Sequence, residues 1–181
     1  IEAFADAGVD LGRLAGAMAS DETLTLVPAP YGLGADRWIA AFASLGSPEL
    51  LIANDAAREF SSLDEISRPP SPAARDDAGP GDATIWTLRL IPSGPGPSLL
   101  GLSFAHGPHV TLPEMLMLQL MRGSLGEDPL DATSFTWLAG SLAQGRLAAR
   151  HVYDATGQTI RITCREVVSQ GPHLGARPPV A

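Results

Sequence analysis

The last third of the chain constrains the fold most. Three β-rich segments, 134–142, 146–153 and 159–167, are joined by the short turn-like connections Ala143-Gln144-Gly145 and Ala155-Thr156-Gly157-Gln158. Connections this short have no room for a crossover, so the economical reading is an antiparallel meander. The stretch from Phe135 to Leu142 also admits a helical reading. If Asp154 pairs with Thr159, His151 lies opposite Ile162 and Ala149 opposite Cys164, because side chains alternate between the two faces of a strand. Leu147, Ala149, His151, Tyr153, Ile160, Ile162 and Cys164 then share the inner face. Arg150, Arg161 and Arg165 project from the other.

The helix signals lie upstream. Thr111-Leu112-Pro113-Glu114 has the spacing of a capping box with proline in the first turn, and it opens a helix through Met121. Met115, Leu116, Met117, Leu118, Leu120 and Met121 leave that helix little polar face. It is therefore expected to be buried against the sheet; the alternative is a Met-rich groove for a partner. Leu11, Leu14, Ala15 and Met18 fall at helical spacing behind Asp10, a cap. Residues 23–27 alternate as a strand ended by Pro28 and Pro30. Asp36 is placed to cap a helix carrying Trp38, Ile39, Phe42 and Leu45 on one stripe, with Gly46 as its stop. Residues 49–53 read as a buried strand, and Asp55 as the cap of a short helix containing Phe60 and Leu63. Segments 84–91 and 98–105 are expected to pair as a hairpin around Pro92-Ser93-Gly94-Pro95-Gly96-Pro97.

This gives an α+β fold, a mainly antiparallel sheet with two or three packing helices and a C-terminal β-meander. The chain divides into an N-terminal helix and strand part (1–66), a flexible linker or loop (67–83) that offers almost nothing to a core, and a part (84–181) holding the hairpin-helix unit, the meander and a proline-rich tail. The whole is read as one domain: 181 residues with 45% apolar residues suffice for a core, although 19 glycines and 16 prolines assign much of the chain to turns.

Composition removes several function classes. All 12 basic residues are arginine, so phosphate-loop NTPases, Schiff-base enzymes and pyridoxal phosphate enzymes, which need a lysine, are excluded within this chain. A single cysteine, Cys164, excludes an internal disulfide and a metal site built on several thiolates. A net charge of −8 argues against nucleic acid as a partner. No apolar run reaches the roughly 18 residues of a membrane-spanning helix, so the chain is expected to be soluble and cytoplasmic, without a membrane partner. It begins at Ile1 without an initiator Met, as a trimmed chain or a fragment would.

Chemistry-bearing constellations are sparse. His106 and His109 sit at a strand-to-helix junction, and His173 offers a third imidazole from the tail; together they define a metal-site alternative, or, as bases, a hydrolytic one. Gly101-Leu102-Ser103-Phe104-Ala105 loosely echoes a nucleophile elbow, but Ser103 reads as part of an alternating strand rather than a sharp turn. Cys164, inward on a strand, has no helix N-terminus to activate it. The expectation is accordingly no cofactor, no catalytic residue and no metal. Charge favours a different site. Residues 1–133 hold 7 arginines against 18 acidic residues, a net −11, whereas 134–181 hold 5 against 2, a net +3. The stripe of Arg150, Arg161 and Arg165 is therefore the expected partner-binding surface, for an acidic protein or for a second copy in a homodimer.

The order of elements resembles the type VII secretion-associated chaperone family of actinobacteria over about half the chain. The resemblance is carried by Arg37-Trp38-Ile39 leading into Ser47-Pro48-Glu49-Leu50-Leu51, by the hairpin-helix unit 84–121, and by the ending 145–165 with Asp154-Ala155-Thr156-Gly157 at its turn. It implies a non-enzymatic α/β protein that shields a hydrophobic secretion substrate. The leading expectation is thus a non-catalytic protein-binding or chaperone-like module. The alternatives are a small metal-dependent or hydrolytic enzyme centred on His106 and His109, and a structural subunit of a larger assembly.

Overall fold

Thr111 and Glu114 form the capping box expected of them: the Thr111 hydroxyl accepts from the Glu114 N–H at 3.3 Å, and the Glu114 carboxylate accepts from the Thr111 N–H at 2.9 Å. The computed structural model that shows this describes residues 2–46, 48–65, 73–75 and 84–180. Its helices are α1 (Glu2–Asp6), α2 (Leu11–Ser20), α3 (Ala35–Leu45), α4 (Asn54–Ala57), α5 (Phe60–Asp64) and α6 (Leu112–Ser124). Its strands are β1 (Leu24–Tyr31), β2 (Glu49–Ile52), β3 (Ala73–Arg75), β4 (Ile85–Pro92), β5 (Leu99–Leu100), β6 (Phe135–Leu142), β7 (Leu147–Asp154), β8 (Thr159–Glu166) and β9 (Leu174–Ala176). The fold is α+β, but the strands form two sheets rather than one. The smaller runs β1-β4-β3 and is antiparallel; the larger runs β2-β8-β7-β6-β9-β5, with parallel pairing at β2–β8 and β6–β9.

Helix α6 lies between the two sheets, which is why it needs no polar face. Leu112, Met115, Leu116 and Leu118 are fully buried, in one core with Val27 and Ile91 of the smaller sheet and Leu138, Ala149, Ile160 and Ile162 of the larger. Met117 and Met121 pack against the same core, so the methionines of α6 fill gaps in it rather than line a groove. The far face of the smaller sheet holds a second core, where Leu88 and Leu90 meet Val9 and Leu14. Asp10 caps α2 by accepting from the Arg13 N–H at 2.9 Å.

Strands β7 and β8 have the register expected from their turn, Asp154 opposite Thr159, His151 opposite Ile162 and Ala149 opposite Cys164, while β6 pairs with β7 through a register shift between Trp137 and Ser141. Other expectations are corrected. Strand β1 does not stop at Pro28 but runs through Pro30 to Tyr31. The two prolines have the same parity on a strand at the sheet edge, so their missing N–H groups fall on the unpaired side. Segments 84–91 and 98–105 do not pair with each other. β4 is the centre of the smaller sheet, while Pro92, Pro95 and Pro97 break the ladder and deliver Leu99 and Leu100 to the larger sheet, opposite Ala176 and Gly175. A Cβ at Gly175 would collide with the Leu99 carbonyl, which fixes glycine there. Most of 67–83 lies outside the described residues, yet Ala73–Arg75 pairs with β4, so that part of the expected linker is a strand.

Neither Asp36 nor Asp55 caps its helix. The N-cap of α3 is Gly34, whose N–H donates to Asp64 of α5 at 2.7 Å, and Asp64 also accepts from Trp38 Nε1 at 2.8 Å. Asp55 accepts instead from the Ala56 and Cys164 N–H groups. Trp38 and Phe42 of α3 are buried, whereas Ile39 and Leu45 are exposed.

Candidate functional site

Helix α6 packs on one face of the larger sheet, and the alternation of β7 and β8 puts the three arginines on the other. Arg150 stands opposite Thr163 and Arg165 opposite Ala148, so the two arginines are diagonal neighbours; Arg161 stands opposite Val152. Their environments differ. Arg150 Cζ lies over the Phe135 ring, 3.9 Å from its centroid, and the Arg150 Nε donates to the Thr163 hydroxyl at 3.1 Å. Burial, then the neighbouring Arg165, lowers its pKa from the ordinary arginine value. Arg161 makes a long, exposed ion pair with Asp154 at 3.4 Å, and Arg165 is exposed with no ion pair among the described residues. A hollow of about 480 Å³ opens beside them, with Phe135, Arg150, Tyr153, Asp154 and Arg161 in its wall.

A second hollow, of about 470 Å³, is lined by Phe104, Val167 and Val168 and is more apolar. The two border one small cluster, in which Trp137, Ala148 and Leu174 are buried with Phe104, Phe135 and Val167 around them. Trp137 Nε1 donates to the Leu102 carbonyl at 2.9 Å and ties the loop of residues 101–107 down over the sheet.

That loop carries His106, with His109 just beyond it, and its conformation corrects the reading of Ser103. Residues 101–105 are not a strand. Ser103 is buried at the mouth of a 3₁₀ turn (Phe104–His106), and its Oγ lies 2.9 Å from His106 Nδ1. His109 Nε2 donates to the Phe104 carbonyl at 2.7 Å and its ring stacks on Phe104, leaving Nδ1 buried without a partner. Desolvation lowers the pKa of His109. His173 is exposed on the approach to β9. Among the described residues no three His, Cys, Asp or Glu side chains gather as a metal would require. Burial, with Asp55 and Glu59 nearby, pushes the Cys164 thiol up to about 12, so it is not an activated nucleophile.

One polar constellation escapes the sequence reading. Asp131 accepts from Arg177 Nη2 at 2.5 Å, from Thr136 Oγ1 at 2.7 Å and from His151 Nδ1 at 2.9 Å, all at buried positions. Gln119 Nε2 lies 3.0 Å from His151 Nε2, and Gln119 also exchanges two hydrogen bonds with the Leu130 backbone. Those bonds orient the amide so that its NH₂ faces the ring and His151 keeps its proton on Nδ1. Burial raises the Asp131 carboxyl, but the His151 hydrogen bond and the Arg177 guanidinium outweigh it and hold the group below its ordinary value. Its side chains have no access to solvent, so this network is structural. The signal available in sequence was the inward-facing His151, since a buried imidazole needs a partner.

Comparison with family models, with curated proteins and with solved structures finds no match to this chain. No helix among the described residues is long and apolar enough to cross a membrane.

Proposed function

We propose that the protein is a non-catalytic protein-binding module of chaperone-like type, which holds a segment of its partner on the outer face of the larger sheet. The observation that carries this reading is the pairing, on that one face, of a hollow walled by arginines with an apolar hollow across the Trp137 cluster. A segment with an acidic residue and an apolar residue would satisfy both. The resemblance to type VII secretion-associated chaperones implies the same class of activity. Binding of acidic-apolar peptides on an array tests it. Arg165→Glu and Val168→Asp, both at exposed positions, should each weaken retention several-fold without changing the melting temperature, and retention should fall as salt rises, since such contacts are screened over about 8 Å at physiological ionic strength. Peptide binding that ignores both substitutions would defeat the proposal.

A hydrolytic reading has one observation in its favour, the Ser103 hydroxyl at 2.9 Å from His106 beside the apolar hollow. It requires that a fluorophosphonate label the native protein and not Ser103→Ala. Absence of labelling would end it.

A further inference from the structure

We infer that the hollow beside Arg150 is a carboxylate subsite that receives an Asp or Glu side chain of the partner, an inference that rests on the binding role given above to this face. The fork is already built. The Phe135 ring backs the guanidinium, with Cζ 3.9 Å from its centroid, and Thr163 engages Nε at 3.1 Å, which leaves both Nη groups without hydrogen-bond partners among the described residues. A guanidinium fixed in this way presents two parallel N–H donors at little further entropic cost, the arrangement that binds a planar carboxylate bidentately. Ser134 borders the same hollow, but its hydroxyl is buried beside Gly96 and takes no part in the fork. Charge selects the occupant. Arg150 and Arg161 line the hollow against one acid, Asp154, so the wall carries a net charge of one positive unit, which a monoanionic carboxylate neutralises and a phosphate dianion exceeds. Outside the wall, Arg165 at the diagonal position and Asp55 of α4 act on Arg150 with opposite signs, so the balance at the fork stays near one positive unit.

The experiment uses the full chain and three probes at matched ionic strength: N-acetyl-glutamate amide, inorganic phosphate and sodium chloride, followed by the NMR signals of the arginine Nε–H groups and the backbone. Saturable shifts at Arg150 and Thr163 with the glutamate probe, absent with chloride, are expected. Arg150→Lys keeps the charge and removes the fork, and should weaken the glutamate probe and any array-selected acidic peptide about ten-fold. Phe135→Leu, which removes the support but neither charge, should weaken both by a smaller factor. Tighter binding of phosphate than of the glutamate probe, or no saturable shift at these residues, would overturn the inference. So would concentration-dependent self-association abolished by Arg150→Lys, which would assign the face to a second copy. If acidic peptides bind and remain sensitive to Arg165→Glu and Val168→Asp but ignore Arg150→Lys, the subsite fails while the binding face stands. If no peptide binds at all, both fail.

Discussion

Asp131 is the residue on which most of the buried polar chemistry turns. Its backbone is held at φ 66°, a left-handed conformation that aspartate tolerates, with its N–H donating to the Pro95 carbonyl and its carbonyl accepting from Tyr153. The side chain is thereby delivered to Arg177, 46 positions away, and to His151, 20 positions away. Removing one member of such a buried pair strands the other charge, at a typical cost of about 3–5 kcal/mol, whereas replacing both by apolar groups of similar volume costs far less. Asp131→Ala is therefore expected to lose most of that range in urea unfolding, and Asp131→Leu with Arg177→Met to recover a large part of the loss; a double variant no better than the single one would show that the stranded arginine is not the main source of the loss. The pH dependence follows from the depressed carboxyl. Its contribution is fully present above the ordinary carboxylate value of 3.8 and is lost as pH falls through the lower folded value. Urea midpoints measured down through this window should fall for the native chain and fall less for Asp131→Asn. His151 was legible as an inward side chain, but its partners were not, because periodicity reports which face a residue takes and says nothing of what a loop aspartate or a tail arginine will meet there.

At the scale of elements, legibility followed the range of the contacts. The β7–β8 pairing was readable to the residue because a four-residue connection leaves register almost no freedom, whereas the register shift between β6 and β7 was not, and α6 was readable because its capping box and apolar periphery are local properties. The pairing of β4 was not readable. Its partners are β1, some 60 positions upstream, and β3, and no local pattern distinguishes a strand that joins its chain neighbour from one that joins a distant segment. The same limit applies to the start of α3, where the N-cap is Gly34, held through its N–H by Asp64 thirty positions away, and not Asp36. For α6 the two sheets permit a sharp expectation. Leu116→Asp places a charge where no water reaches and should destabilise the fold by several kcal/mol, on the order of an unpaired buried charge. Thr111→Ala removes the cap and also the hydroxyl that meets Tyr31 at 2.9 Å, and should cost about 1–2 kcal/mol. Equilibrium unfolding checks both. A Leu116→Asp protein of native stability would mean that α6 is exposed and that the methionine-rich face is free after all.

The two sheets are held to each other from the end of the chain as well as through α6. After His173, the segment first forms β9 between β6 and β5, where Leu174 closes over Trp137; it then places Arg177 against Asp131 and the Pro92 carbonyl, and finally exchanges backbone hydrogen bonds between Val180 and Leu90 in the smaller sheet. Strand β5 has no ladder partner other than β9 among the described residues, so its attachment to the larger sheet depends on this same stretch. These contacts share one backbone, so removing it removes all of them together. Two truncations separate the contributions. Ending the chain after Pro178 removes the Val180 to Leu90 bridge and keeps Arg177, and should lower the urea midpoint slightly with cooperativity intact. Ending it after His173 takes away β9 with its pairing to β5, the cover of Trp137 and the counter-charge of Asp131, and should cost more than Asp131→Ala does. Tryptophan fluorescence should then show Trp137 exposed to quencher while far-UV circular dichroism retains much of the meander. Equal stability of the two truncated chains would place the whole effect at Val180 and would show that Arg177 is not what fastens the tail across the sheets.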